Sequence, residues 1–365
     1  MISHPTTAYR PERVSPPGDS LQDSLEFYGM TQTEFAERTG LSAKTVNQII
    51  AGKAPITETN ALAFERTLGT PAHFWLSREA KYREFLARQN ESNLGLEHAD
   101  WARRFPYKKM SDQGWVVPTK NAAEKAQHLL RFFGVSDQDC WRSLWESPQA
   151  AFRQMSRSGK NIAVISSWLR QGERLAQKME TPAFDESAFT SALKSLRSAT
   201  VETSPEVFMK RIEQACSDAG VRYLLVRELP SLGIFGVTRW FGGSPLIQQS
   251  LLLKTHDHFW FTFFHEAKHV MQKVKKHIFL EAKELPEADE KREREANRFA
   301  GDLLIPSAEY EDFIARECFE KSAILRFARS IDIHPGIVVG RLQRERSIDY
   351  THPARTLKVH FQWPS

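Results

Sequence analysis

The sequence predicts a mainly α fold with one small β-sheet, an α+β class. Three observations carry that expectation. Helical apolar spacing runs through residues 21–220 and again through 288–345. Three short β-branched and aromatic runs cluster between 221 and 254, and Gly, Pro and Ser/Thr punctuate the segments at their ends. The resulting division is a flexible arm at 1–20, a helical domain at 21–95, a helical middle at 96–219, an α+β domain at 220–345 and a tail at 346–365.

The arm follows from its content of Pro, Ser, Thr and Gly. Three capped helices come next. "MTQTEFAERTG" offers Thr31 and Thr33 as N-caps, Phe35 and Ala36 as inward positions and Gly40 as a stop. "LSAKTVNQIIAG" repeats the scheme with Ser42, then Val46, Ile49 and Ile50, then Gly52, and "TETNALAFERTLG" repeats it again. The middle is basic at its start ("WARRFPYKKM") and rich in tryptophan. At helical spacing Trp101, Trp115, Trp141, Trp145 and Trp168 read as core rather than as a base-stacking surface. "SPEVFMKRIEQACSDAG" is an amphipathic helix. "VRYLLVREL", "GIFGVTRWF" and "PLIQQSLLL" read as strands, "HIFLE" (277–281) as one more, and helices follow from about 288.

Composition limits the function classes. With 41% hydrophobic and 26% charged residues the chain reads as a soluble protein of two or three domains. No signal peptide is visible at the N-terminus, and apolar runs such as "FWFTFF" are too short to span a bilayer. The three scattered cysteines, with no C-x-x-C, fit a reduced cytoplasm and exclude a cysteine-based metal site. Cytoplasmic localisation with no membrane partner is the expectation. The net charge of +5 mildly favours an acidic partner.

The first motif is "MTQTEFAERTGLSAKTVNQIIAGK", two short helices about the turn "RTGLS". Such a helix-turn-helix places its second helix in the major groove. That helix would present Ser42, Ala43, Lys44, Thr45, Asn47 and Gln48, short polar and amide side chains suited to base edges and phosphates. Thr31, Gln32 and Lys53 would hold the phosphate backbone. Residues 30–60 carry three basic and three acidic side chains, so this is no basic patch, and a plain helical hairpin for protein contacts is the alternative. Over about fifty residues, "YGMTQTEFAERTGLSAKTVNQIIAGKAPITETNALAFERTLGTPAHFWL" resembles the XRE/HigA-type antitoxin and repressor domain. The resemblance implies operator binding to double-stranded DNA, and a homodimer is the matching expectation.

The second motif is "HFWFTFFHEAKHVMQ". On a helix, residues four apart share a face, so His265 and His269 can aim ring nitrogens at one metal. Glu266, about 100° round the helix, can reach a water at that metal as a general base. Apolar Phe259, Phe263, Val270 and Val274 mark the helix as buried. A catalytic zinc needs a third ligand. In "LPEADEKREREANRFAGDLLIP" the inward stripe is Ala296, Phe299, Ala300, Leu303 and Leu304. Glu293 borders that stripe with Asn297 on its face, where Asn297 could hydrogen-bond a ligating histidine, while Glu295 and Glu290 are rivals.

H-E-x-x-H followed by "EREANRFAGDLLIP" resembles the ImmA/IrrE metallopeptidases over roughly 220–345. Their zincin-like domain takes its third ligand from the second helix, in a gluzincin-like E-x-x-x-D/N pattern that fits Glu293 with Asn297. The resemblance implies Zn²⁺ and limited cleavage of a regulatory protein, whether a repressor, a toxin partner or the chain itself, in a stress or phage-related circuit. A DNA-binding regulator or antitoxin with a non-catalytic, peptidase-shaped sensor is the alternative, and an interaction protein with neither activity is a third. The chain departs from the family at Lys268, where Gly is usual, and at "MQKVKK", where a further His often follows. Lys268 is not a ligand position, so metal binding should survive, with altered access or substrate preference. His256, His258 and His277 are lesser candidates for lining the cleft or stabilising an oxyanion. "SAILRFARSIDIHPGIVVGRLQRER" looks faintly like another helix-turn-helix and is expected to pack against the core.

Overall fold

The computed structural model describes residues 13–146, 161–273 and 287–361. They divide into two compact units. One ends at Glu97 and takes in Ala122–Glu124; the other holds His98–Asn121 and the chain from Lys125 onward.

The first unit is all helical: α1 Pro17–Phe27, α2 Gln32–Thr39, α3 Ala43–Ile50, α4 Glu58–Leu68 and α5 Ala72–Glu97. Thr31, Ser42 and Thr57 each cap a helix by accepting a hydrogen bond from the backbone N–H three residues on, a device worth about 1 kcal/mol per helix. The apolar faces meet around Phe35, Phe64 and Trp75, whose rings lie 5.1 and 5.5 Å apart in succession. Residues 17–20, read from the sequence as part of the arm, instead open α1. Pro17 sits in the first turn of α1, where its missing N–H is harmless, and Leu21 and Leu25 anchor that helix in the core.

The second unit continues with α6 Ala99–Ala102, α7 Tyr107–Asp112, α8 Ala122–Phe133 (from Lys125 onward), α9 Gln138–Trp145, α10 Ile162–Ala176, α11 Glu186–Arg197 and α12 Pro205–Asp218. Strands β1 Arg222–Leu225, β2 Gly236–Phe241 and β3 Ser244–Gln249 follow. After them come α13 His256–Met271, α14 Glu287–Leu304, α15 Ser307–Ile314, α16 Lys321–Ser330 and α17 Pro335–Arg344. The sheet order is β1-β3-β2, with β1 parallel and β2 antiparallel to β3. Gly242 and Gly243, at φ 58° and 84°, close the β2–β3 hairpin in the left-handed conformation that a two-residue turn demands. The segment "HIFLE" lies outside the described residues.

Two corrections concern domain limits. No division appears at 219/220. The five tryptophans are buried, and their core continues into Val226, Leu229, Leu232, Ile234 and Val237 of the sheet region. Trp168 Nε1 donates to the Val226 carbonyl at 3.1 Å, and Phe189 and Phe208 share a core with α13. An amphipathic helix shows in sequence that it has an apolar face, not which partner covers it. The described part of the segment read as a tail, residues 346–361, is not free either: Phe361 is 4% exposed, and its N–H donates to the Lys254 carbonyl at 2.7 Å. The helices α16 and α17 pack through Ile324, Ala328, Ile337, Val338 and Leu342 into the core that holds α13. Among the described residues no helix is long and apolar enough to cross a membrane.

Candidate metal centre and helix-turn-helix surface

Helix α13 runs through the core of its unit, with Phe259, Trp260, Phe263, Phe264, Ala267 and Val270 buried on several sides. Its remaining face carries His258, Phe261, Thr262 and His265, with His269 one turn further on. His265 Nε2 and His269 Nε2 lie 3.0 Å apart. Helix α14 crosses this face and sets Glu293 Oε2 at 3.2 Å from His265 Nε2, and Glu293 Oε1 at 3.2 Å from His269 Nε2. These three side chains form a group able to hold a metal ion. Ligands about 2.0–2.1 Å from one tetrahedral zinc stand roughly 3.3 Å from each other, so the donor set and its spacing fit zinc with one position left open.

The electrostatics agree with that use. Burial alone would raise the Glu293 carboxyl; the hydrogen bonds and charges of His265 and His269 outweigh it and bring it down to about 2. Glu295, the rival ligand, is exposed and accepts from Gln272 Nε2 at 3.3 Å. Glu290 is exposed and pairs with Arg294 at 3.3 Å.

Glu266 is 4% exposed and faces the sheet. Its Oε2 accepts from Thr238 Oγ1 at 2.7 Å, and the same hydroxyl lies 2.8 Å from the Glu266 backbone carbonyl. Burial pushes the carboxyl up, against the pull of His269, His265 and the Thr238 hydroxyl. Strand β2 passes close beneath. A Cβ on Gly236 would stand 2.7 Å from Glu266 Cγ and 2.9 Å from its Oε1, so only glycine fits. Ile234, Phe235, Gly236, Phe261 and Thr262 line a cleft together with His265, Glu266 and Glu293.

Several candidates lie elsewhere. Asn297 does not reach a histidine: its Oδ1 accepts from Arg344 Nη2 at 3.0 Å. Gln272 takes that role, with Oε1 2.8 Å from His269 Nδ1. His256 is fully buried away from the cleft, beside Trp260, Phe208, Phe361 and His334, which removes it as an oxyanion donor. His258 stacks on Phe235 at 5.9 Å, and His277 lies outside the described residues. Lys268 places its ammonium 5.5 Å over the Phe299 ring. Sequence reasoning missed Thr238, Gly236 and Gln272. For Gln272 a signal existed, since three residues after His269 lies within reach on a helix.

In the first unit α2 and α3 meet through the turn at Gly40, which is left-handed at φ 69°. Ser42, Ala43, Lys44 and Asn47 are exposed, and Thr45 and Gln48 half-exposed, along one side of α3, while Val46 and Ile49 face inward. The Ser42 and Thr45 hydroxyls lie 2.8 Å apart. Thr31 and Lys53 are exposed; Gln32 is half-buried and donates to Gln22 Oε1 at 3.2 Å.

Comparison with known proteins bears on both places. A family profile described as Helix-turn-helix matches residues 28–75, and one described as IrrE N-terminal-like domain matches 248–318. The chain joins a helix-turn-helix domain to an IrrE-like domain. The IrrE-like match contains His265, Glu266, His269 and Glu293 and leaves Gly236 and Thr238 outside it. The HTH-type transcriptional regulator YddM of Escherichia coli (strain K12) is 30% identical over 61 residues, which is 17% of this chain and 65% of that protein. This chain therefore spans under two thirds of that relative. An addiction module antidote protein of the HigA family from Coxiella burnetii is 27% identical over 22% of this chain and 89% of its own, with a TM-score of 0.22. PA4674 from Pseudomonas aeruginosa, solved in complex with its operator DNA, is 29% identical over 20% of this chain and 82% of its own, with a TM-score of 0.20.

Proposed function

We propose that the IrrE-like domain is a zinc-dependent, site-specific endopeptidase of the HExxH, gluzincin-like type, and that the helix-turn-helix domain binds an operator in double-stranded DNA. Its substrate is a regulatory protein (a repressor, a toxin partner or the chain itself) in a stress or phage-related circuit of the cytoplasm. The observation that carries the reading is the convergence of His265, His269 and Glu293 beside the buried carboxyl of Glu266.

When bound at these three side chains, zinc supplies Lewis acidity and lowers the pKa of water in the open position. Glu266 keeps Oε2 on the Thr238 hydroxyl and uses Oε1 to take a proton from the attacking water. The same oxygen then passes the proton to the leaving amine. Burial, which strengthens the hold of this carboxyl on a proton, suits both halves of that transfer. Phe235 and Phe261 line the cleft beside this carboxyl and give it apolar walls. In the other domain Ser42, Ala43, Lys44, Thr45, Asn47 and Gln48 face base edges and nearby phosphates, with Thr31, Gln32 and Lys53 on the backbone. A homodimer would match a two-fold operator.

The test compares newly formed protein N-termini, by mass spectrometry, in cells expressing the parent or Glu266→Gln under inducing conditions. Cleavage products present with the parent and absent with a variant that still holds zinc support the reading. No parent-specific product would instead make the domain a sensor within a DNA-binding regulator or antitoxin. Repression and toxin neutralisation would then survive Glu266→Ala.

A further inference from the structure

We infer that Gln272 is a positioning residue for the metal centre, tying together the two helices that supply its ligands; the inference rests on the zinc reading above. Gln272 ends α13, and Lys273 after it is left-handed at φ 53°, so the backbone leaves the helix there. The half-buried side chain of Gln272 reaches across to α14. Its Nε2 lies 3.1 Å from the Arg292 carbonyl oxygen, one residue before Glu293, and 3.3 Å from Glu295 Oε2. Both of those atoms only accept, so the Gln272 nitrogen must be the end that faces them.

That orientation has a consequence on the other side. Gln272 Oε1 is then the atom 2.8 Å from His269 Nδ1, and an oxygen there requires Nδ1 to carry the proton. His269 is therefore held as the Nδ1–H tautomer, with the Nε2 lone pair directed to the point where His265 and Glu293 converge. Neither Arg292 nor Glu295 is part of the donor set, yet through Gln272 they fix which nitrogen of His269 is available. One amide thus performs two tasks: the acceptor sets the tautomer and ring orientation of one ligand, and the donor holds the backbone beside another. Partners of this kind are typically worth about 10–100-fold in metal affinity.

The experiment measures the zinc dissociation constant of the full chain by competition with a chromophoric chelator, for the parent, Gln272→Leu and Gln272→Glu. Melting of the metal-free proteins is followed alongside. Leucine keeps the bulk and loses both hydrogen bonds; glutamate keeps the oxygen that faces His269 but sets its second oxygen against the Arg292 carbonyl and the Glu295 carboxylate, so it loses the tie to α14. The expected result is affinity about 10–100-fold weaker in Gln272→Leu, with the metal-free protein still melting cooperatively, and an affinity in Gln272→Glu between that of Gln272→Leu and the parent, because the acceptor for His269 is kept and the donor to α14 is lost. The visible spectrum of bound Co²⁺ should change in the leucine variant and recover in part in the glutamate variant. Parent-like affinity in Gln272→Leu would overturn the inference and leave the zinc reading standing. So would equal weakness in both variants, because any change at 272 would then be merely disruptive. A parent that takes up no zinc would overturn both.

Discussion

Thr238 and Glu266, 28 residues apart in the chain, are joined by a single hydroxyl that donates to the carboxylate and lies equally close to the carbonyl of the same residue. The strand is thereby pinned to the first turn of the H-E-x-x-H motif, and one oxygen of the proposed base is fixed. Removing the hydroxyl leaves a buried carboxyl with one donor fewer. Thr238→Val should lower stability by about 1–2 kcal/mol and move the acidic limb of any peptidase activity to higher pH, because the lost hydrogen bond had favoured the ionised form. Thr238→Ser should restore both, as read from pH–rate profiles and denaturant midpoints.

Gly236 sets the distance between that strand and the helix. A methyl group there meets Glu266 Cγ, Glu266 Oε1 and Thr262 Cγ2 at 2.7–2.9 Å. Gly236→Ala should cost about 1–3 kcal/mol through overpacking and lower cleavage at least tenfold, with zinc content unchanged. Denaturation and metal analysis on one preparation would separate the two effects.

His256 gives the fold a pH dependence remote from the metal centre. Burial, then the neighbouring His334, lowers its pKa from 6.5 to about 4. The unfolded chain therefore binds this proton more readily than the folded one. Its contribution is fully present above about pH 6.5 and is lost as pH falls towards 4, amounting to about 2 kcal/mol between pH 7 and 5. His256→Gln should flatten the stability difference over that range, measured by urea denaturation at each pH.

On the helix-turn-helix domain, Lys44 and Gln48 are expected to act differently. Lys44→Ala should weaken operator binding on all sequences and reduce the salt slope by about 1, whereas Gln48→Ala should cost about 1–3 kcal/mol and relax preference at one base pair. Titrations of operator and scrambled DNA at several salt concentrations distinguish these outcomes. Parent-like behaviour of the double variant would remove α3 as the contact surface.

What was legible in the sequence was local. The capped helices around Gly40, the three strand runs and the i, i+4 spacing of His265 and His269 each depend on residues within one or two turns. Glu293 was legible as the carboxylate bordering an apolar stripe. The rest depends on tertiary placement. Asn297 shares the face of Glu293 as expected, yet α17 brings Arg344 to its oxygen, while Gln272 reaches His269 from the helix end. Phe361 falls in the segment read as a tail, yet the chain just before α13 receives it. Thr238 and Gly236 matter only because β2 runs beneath Glu266, and no periodicity announces which strand passes beneath which helix.

The most direct measurement is zinc content by mass spectrometry on the parent, Glu293→Ala and Glu295→Ala, each purified without chelators. The expected result is about one zinc per chain in the parent and in Glu295→Ala, and loss of zinc in Glu293→Ala. A parent that stays metal-free after zinc is supplied, or a Glu293→Ala protein that keeps its zinc, would contradict the assignment of His265, His269 and Glu293 as the metal centre.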